Sequence, residues 1–418
     1  MDRKIQTSLI TKTLAVAITA AMASTVQAAS TEQQQIQELR QEVQALKALI
    51  QQQQQVQQQQ QVQIQQVQAQ PAPAAKSASP FSLKSKGGAE VNLYGFVRGD
   101  ANYIVEGADN DFNSVHTSTG AAKDKLRATP KTTRLGLDFS SPVGDRKVGG
   151  KIEVDFAGTN DALRIRHAYL TLDNWLLGQT TSNFLSNHAP EMIDFGTNVG
   201  GGTTRIPQVR YSHKLAPATQ LLVSAEEGNS SATGSDVTYR VPTVTAKLTQ
   251  GFAEGKGAAS ARALVEHYKA ESGDDKTGWG VAAGAHYQVT EPLKISADVS
   301  HVVGNSNYLY GSNTAYSLDG RNIEQNEFTA FQVGATYKFA PNLRSTLGYG
   351  AIFSDDGTDY AALNEDANKE VYQAWLNFIY SPVKPVDLGI EYINGERETF
   401  AGETFKDNRF GLMARYNF

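Results

Sequence analysis

Residues 408 to 418 run Asn408-Arg409-Phe410-Gly411-Leu412-Met413-Ala414-Arg415-Tyr416-Asn417-Phe418. Phe410, Leu412, Ala414, Tyr416 and Phe418 share one face, and Arg409, Gly411 and Arg415 share the other. A period of two is the signature of a strand. A soluble protein seldom leaves such an aromatic strand as an open edge, whereas a closed transmembrane barrel pairs its last strand with its first and turns the apolar face to lipid. The pattern predicts an all-β fold, a transmembrane antiparallel β-barrel.

The first residues agree. Arg3, Lys4 and Lys12 precede or flank an apolar stretch from Leu14 to Met22, and Val26-Gln27-Ala28 supplies a small-residue cleavage site, so 1–28 reads as a secretory signal peptide. Beyond it, no run approaches the roughly 20 apolar residues that a membrane-crossing helix needs. The mean hydropathy of −0.39 is polar, as expected when strands face lipid with only every second residue. Absence of Cys removes disulfide frameworks, thiol catalysis and thiolate metal sites. A formal net charge of −5 gives no ground for nucleic-acid binding. The seven His sit in no nucleophile or metal motif, so no enzyme, cofactor or metal centre is expected.

After the signal peptide the chain divides into three. Residues 30–70 predict an α-helical coiled coil, with Ile36, Val43, Ile50, Gln57 and Ile64 at heptad position a and Leu39, Leu46, Gln53, Gln60 and Val67 at d. Residues 71–90 form a Pro-, Ala- and Lys-containing linker, because Pro71, Pro73 and Pro80 stop the helix. Residues 91–418 predict the barrel, about 16 strands at roughly 20 residues per strand and loop. Short turns such as Thr290-Glu291-Pro292 and Ala340-Pro341-Asn342 mark the periplasmic side, where the coil is expected. Long polar stretches at 106–129, 304–327 and 354–369 mark the extracellular side.

Strand phase sorts lumen from lipid. Opposite Val91, Leu93 and Val97 stand Asn92, Tyr94, Phe96, Arg98 and Asp100. Arg134 and Asp138 oppose Leu135 and Leu137, and Lys151, Glu153 and Asp155 oppose Ile152 and Val154. Arg164 and Arg166 oppose Ile165 and Tyr169, with His167 on the outward phase. Arg210 opposes Val209, Arg344 opposes Leu343 and Leu347, and Arg415 opposes the aromatics of the last strand. Arginine at the bilayer midplane costs about 2–4 kcal/mol, which alone favours inward placement. A ring of guanidinium groups also binds carboxylates and concentrates anions. The interleaved Asp100, Asp138, Glu153 and Asp155 could neutralise it by pairing.

The segments Thr133-Arg134-Leu135-Gly136-Leu137-Asp138-Phe139, Arg166-His167-Ala168-Tyr169-Leu170, Gly178-Gln179-Thr180, Arg205-Ile206-Pro207-Gln208-Val209-Arg210-Tyr211, Ser381-Pro382-Val383 and Leu388-Gly389-Ile390-Glu391-Tyr392 resemble strand motifs of Gram-negative porins. With the coil in front, the mature chain resembles the DcaP-like trimeric porins. The resemblance implies a homotrimer in the outer membrane, surrounded by lipid and lipopolysaccharide, that passes small anionic solutes such as dicarboxylates or aromatic carboxylates. It carries inward arginine over to Arg134, Arg166 and Arg210. The long stretch from Thr181 to Pro207 is similar to a porin constriction loop, with Glu191 and Asp194 narrowing the pore and Arg205 at its rim.

Alternatives are a general non-selective diffusion porin, an outer-membrane barrel enzyme and a trimeric adhesin. The adhesin joins its coil to a short barrel segment, whereas here the barrel is most of the chain. Since lipid-facing strands and loops carry assembly, deleting residues 30–80 is expected to leave channels of unchanged conductance. Single-channel recording checks this, and lost conductance would show that assembly needs the coil.

Overall fold

The computed structural model describes residues 82–84, 88–194, 198–228, 237–271 and 273–418. The stretches read as signal peptide and coiled coil, and most of the linker, lie outside these residues. Within the linker stretch, Ser82–Lys84 is a short strand paired with the beginning of the first barrel strand.

Sixteen antiparallel strands close into one barrel. In order they are Glu90–Gly107, then Ala122–Thr129 with Arg134–Val143 as one bent strand, Arg146–Asp155, Arg164–Leu172, Trp175–Thr181, Arg205–Ala216, Thr219–Glu226 and Thr243–Phe252. The second half comprises Gly257–Ala270, Asp275–Gln288, Leu293–Val303, Glu327–Ala340, Leu343–Ser354, Asn368–Val383, Val386–Thr399 and Thr404–Asn417. Closure runs through the first strand, which pairs with the last from Phe96↔Asn417 to Glu106↔Asn408. Phe418 completes that seam by exchanging both backbone bonds with Gly95, at 3.0 and 3.1 Å. Its neighbours Phe410, Leu412 and Tyr416 lie exposed on the outer face, where they meet lipid.

Two expectations need correction. The stretch 106–129 is not all loop: the first strand continues to Gly107 and Ala122–Thr129 pairs with its upper half. Trp175–Thr181 is a strand, in keeping with the porin strand motif that Gly178-Gln179-Thr180 resembles, although these three residues dilute its apolar face. Tyr169 and His167 turn inward, since Lys151 is the ladder partner of Tyr169 and Glu153 that of His167. The cause is a bulge: Glu153 pairs with His167 but Val154 pairs with Ile165, leaving Arg166 as the extra residue. One extra residue reverses the phase of everything after it.

The wall is uneven. The fourth, fifth and seventh strands have 9, 7 and 8 residues, whereas the fourteenth to sixteenth have 16, 14 and 14. On the tall side the lumen is filled by inward-folded loops. Val115 from the first long loop, Phe184, Leu185 and Val199 from the loop at 182–204, and Tyr308 and Leu309 from the loop before the twelfth strand form one apolar core with Leu264, Val302, Phe328 and Val371 of the wall.

Candidate functional site

On the low wall the strand ladders bring opposite charges side by side. Arg134 pairs with Asp155 and Asp138 with Lys151 across the second and third strands, and Asp155 pairs with Arg164 across the third and fourth. Arg166, the bulge residue, is buried and bridges the two acids, with Nε donating to Glu153 Oε1 and Nη1 to Asp155 Oδ2, both at 2.8 Å. Arg164 donates as a fork to Asp155 at 2.9 and 2.8 Å. Arg134 lies 3.4 Å from Glu153, and Lys151 lies 3.3 Å from Asp138. Tyr94 donates its hydroxyl to Glu153 at 2.8 Å, while its ring sits beneath Lys151. Phe96 is flanked by the Arg134 and Arg415 guanidiniums at 5.0 and 5.6 Å.

Arg205, at the start of the sixth strand, is half-buried and lies within electrostatic range of Arg166, Arg134, Arg164 and Glu153. It forms no ion pair among the described residues, and its Nε is buried without a hydrogen-bond partner. The cluster therefore holds Arg134, Lys151, Arg164, Arg166 and Arg205 against Asp138, Glu153 and Asp155. Cations outnumber carboxylates, and Arg164, with 42% of its side chain exposed, presents its charge to the lumen.

The remaining candidates serve other ends. Arg98 is buried, forks onto Asp100 and donates to the carbonyl of Ile193 at 2.6 Å, so it holds the loop at 182–204. Arg210 is buried and donates to Gln208 and to the Thr181 carbonyl. Arg415 donates to Asp387 at 2.5 Å.

The loop at 182–204 hugs the tall wall. Lys247 donates to the Leu185 carbonyl at 2.6 Å, Ser186 donates to Asp298 at 2.6 Å, and His188 bridges His286 and Ser260. Burial, with His286, Arg262 and Lys247 nearby, pushes the His188 imidazole down to about 3, so it stays neutral and both ring nitrogens remain usable. Farther along, Glu391 accepts the N–H groups of Ile193 and Asp194 at 2.8 and 2.7 Å, and Gln373 accepts that of Val199 at 3.0 Å. Trp375 packs over Gly348, where a Cβ would collide with the indole, and donates its Nε1 to the Glu191 carbonyl at 3.0 Å. Asp194 is buried and accepts the N–H of Asn113, while Glu191 pairs with Arg344. Glu191 thus points to the wall behind the loop, and Asp194 to the first long loop.

Sequence phase found the cations of the low wall. It missed the anchors Lys247, Trp375, Asn377 and Glu391. Glu391 stands on the inward phase opposite Ile390 and Tyr392, a signal that was present, but nothing local says which loop it meets.

Comparison with known proteins bears on this geometry. The model of the DcaP outer membrane protein family matches residues 15–418. No curated protein matches the chain. The outer membrane channel DcaP of Acinetobacter baumannii is similar at 68% identity and a TM-score of 0.79, over 80% of this chain and 99% of that one. An anion-selective porin from Comamonas acidovorans shares 13% identity at a TM-score of 0.54, over 79% of this chain and 100% of that one. The trimer form of OmpT from Vibrio cholerae shares 15% at 0.51, over 79% and 99%. At such identities the last two show the fold alone.

Proposed function

The chain belongs to the DcaP outer membrane protein family, and from that premise we propose that this outer-membrane channel passes small anionic solutes, dicarboxylates or aromatic carboxylates, by passive diffusion. One observation carries the reading: a wall with five cations and three carboxylates faces a loop whose own two acids are otherwise engaged, Glu191 by Arg344 of the opposite wall and Asp194 by the backbone of the first long loop. A dianionic solute gains from several fixed guanidiniums where a neutral one gains nothing. The general diffusion porin is the reading this charge surplus disfavours.

The proposed assembly is a homotrimer. Its support is the low wall: a strand of 7 residues, at about 3.3 Å per residue and about 45° tilt, rises roughly 16 Å, short of the apolar band of about 25 Å. Ile165, Leu170 and Trp175 are nevertheless exposed there, so other copies should cover this side while lipid and lipopolysaccharide surround the tall one.

Zero-current potentials of the full chain across a salt gradient in planar bilayers test the selectivity. Anion preference and current block by small dicarboxylates are the expected results. Cation preference without a dicarboxylate response would sink the reading.

A further inference from the structure

We propose that Arg344, which stands away from the basic wall, helps to set the channel's charge preference by holding the carboxylate of Glu191 against the tall wall. The proposal rests on the reading of the basic wall as the selectivity site. Glu191 and Asp194 are the only acids between 182 and 204. Asp194 is buried and accepts the Asn113 N–H of the first long loop. Glu191 differs: 35% of its side chain is exposed, so it is the loop carboxylate that meets lumen water.

What aims it is the Arg344 fork, with Nε and Nη2 each 2.7 Å from a carboxylate oxygen. The path of the backbone has separate anchors. The Glu191 carbonyl accepts from Trp375 Nε1 and Asn377 Nδ2, both at 3.0 Å, and the preceding Pro190 packs on Gly334, where a Cβ at Gly334 would lie 2.5 Å from the proline. An ion pair this open to water adds little to stability. Its effect is on where a charge sits. Without Arg344, the loop keeps its course and Glu191 swings free, adding a carboxylate to the space opposite Arg134, Arg164 and Arg166. The planar fork matters as well as the charge, because a lysine ammonium grips at a single point and fixes no orientation.

The experiment measures zero-current potentials of full-chain wild type, Arg344→Gln, Arg344→Lys, Glu191→Gln and the double variant Arg344→Gln/Glu191→Gln, with heat-modifiable gel mobility confirming that each barrel has assembled. Arg344→Gln is expected to move the potential toward cations, and Arg344→Lys in the same direction by less although the net charge is unchanged. Glu191→Gln should move it toward anions, and the double variant should return it to the wild-type value. The proposal is overturned if Arg344→Gln and Arg344→Lys both match wild type, or if the double variant keeps the shift of Arg344→Gln. A wild-type channel without anion preference would instead overturn the reading of the basic wall, and the direction of the shifts would still judge Arg344. Should Arg344→Gln fail to assemble, Arg344→Lys and Glu191→Gln decide alone.

Discussion

Replacing Arg134 and Arg166 together with alanine is expected to abolish anion preference and to weaken dicarboxylate block about tenfold or more, while the pore stays open. The size follows from the count of charges: five cations against three carboxylates become three against three. Arg166 has only 3% of its side chain exposed and joins Glu153 to Asp155, so its loss also exposes those acids to the lumen. A hydrogen bond to a charged partner contributes about 1.5–3 kcal/mol, and about 1.4 kcal/mol is a factor of ten in affinity. At about 1 M salt, where screening shortens to about 3 Å, variant and wild type should converge. Titrating a small dicarboxylate against single-channel current measures the effect. An unchanged block would place the solute's contacts elsewhere than the low wall.

Removing the Glu391 carboxylate is the second large perturbation. In Glu391→Ala the N–H groups of Ile193 and Asp194 lose their acceptor, at 2.8 and 2.7 Å, and the Nδ2 of Asn377 loses one of its two, at 2.9 Å. Glu391 is almost fully buried, so water does not readily replace it. Three bonds of about 1.5–3 kcal/mol each exceed what a short stretch of loop can lose and stay docked. The expected outcome is a larger, noisier conductance in single-channel recordings, with an intermediate effect for Glu391→Gln, which keeps one acceptor oxygen. A quiet wild-type conductance would show that the remaining anchors, Arg98, His188, Lys247, Gln373 and Trp375, suffice to hold the loop.

Much of the barrel was legible because alternation is a local property. Leu135 and Leu137 face out and Arg134 and Asp138 face in, and each pair announces the other. Legibility failed where phase is reset by something non-local. His167 has the wrong parity only because a bulge opposite Glu153 and Val154 inserts Arg166, and no residue in Arg164-Ile165-Arg166-His167 requires it. The course of the loop at 182–204 was equally hidden. Glu191 and Asp194 look like pore-narrowing acids until Arg344 and Glu391, some 150 to 200 residues away in sequence, are seen to claim that stretch.

The bulge has a consequence for how such a wall can change over time. Outside, the row Ile165, Ala168, Leu170 follows Val154, Ile152, Gly150 without a gap, because Arg166 has no partner in the ladder. Losing that one codon would restore an even strand and leave the oily surface as it was, while erasing a guanidinium from the interior. Gaining it would do the reverse. An insertion, usually the most disruptive event in a β-structure, is here a route by which a lineage could retune what crosses its membrane without redesigning how the protein sits in it.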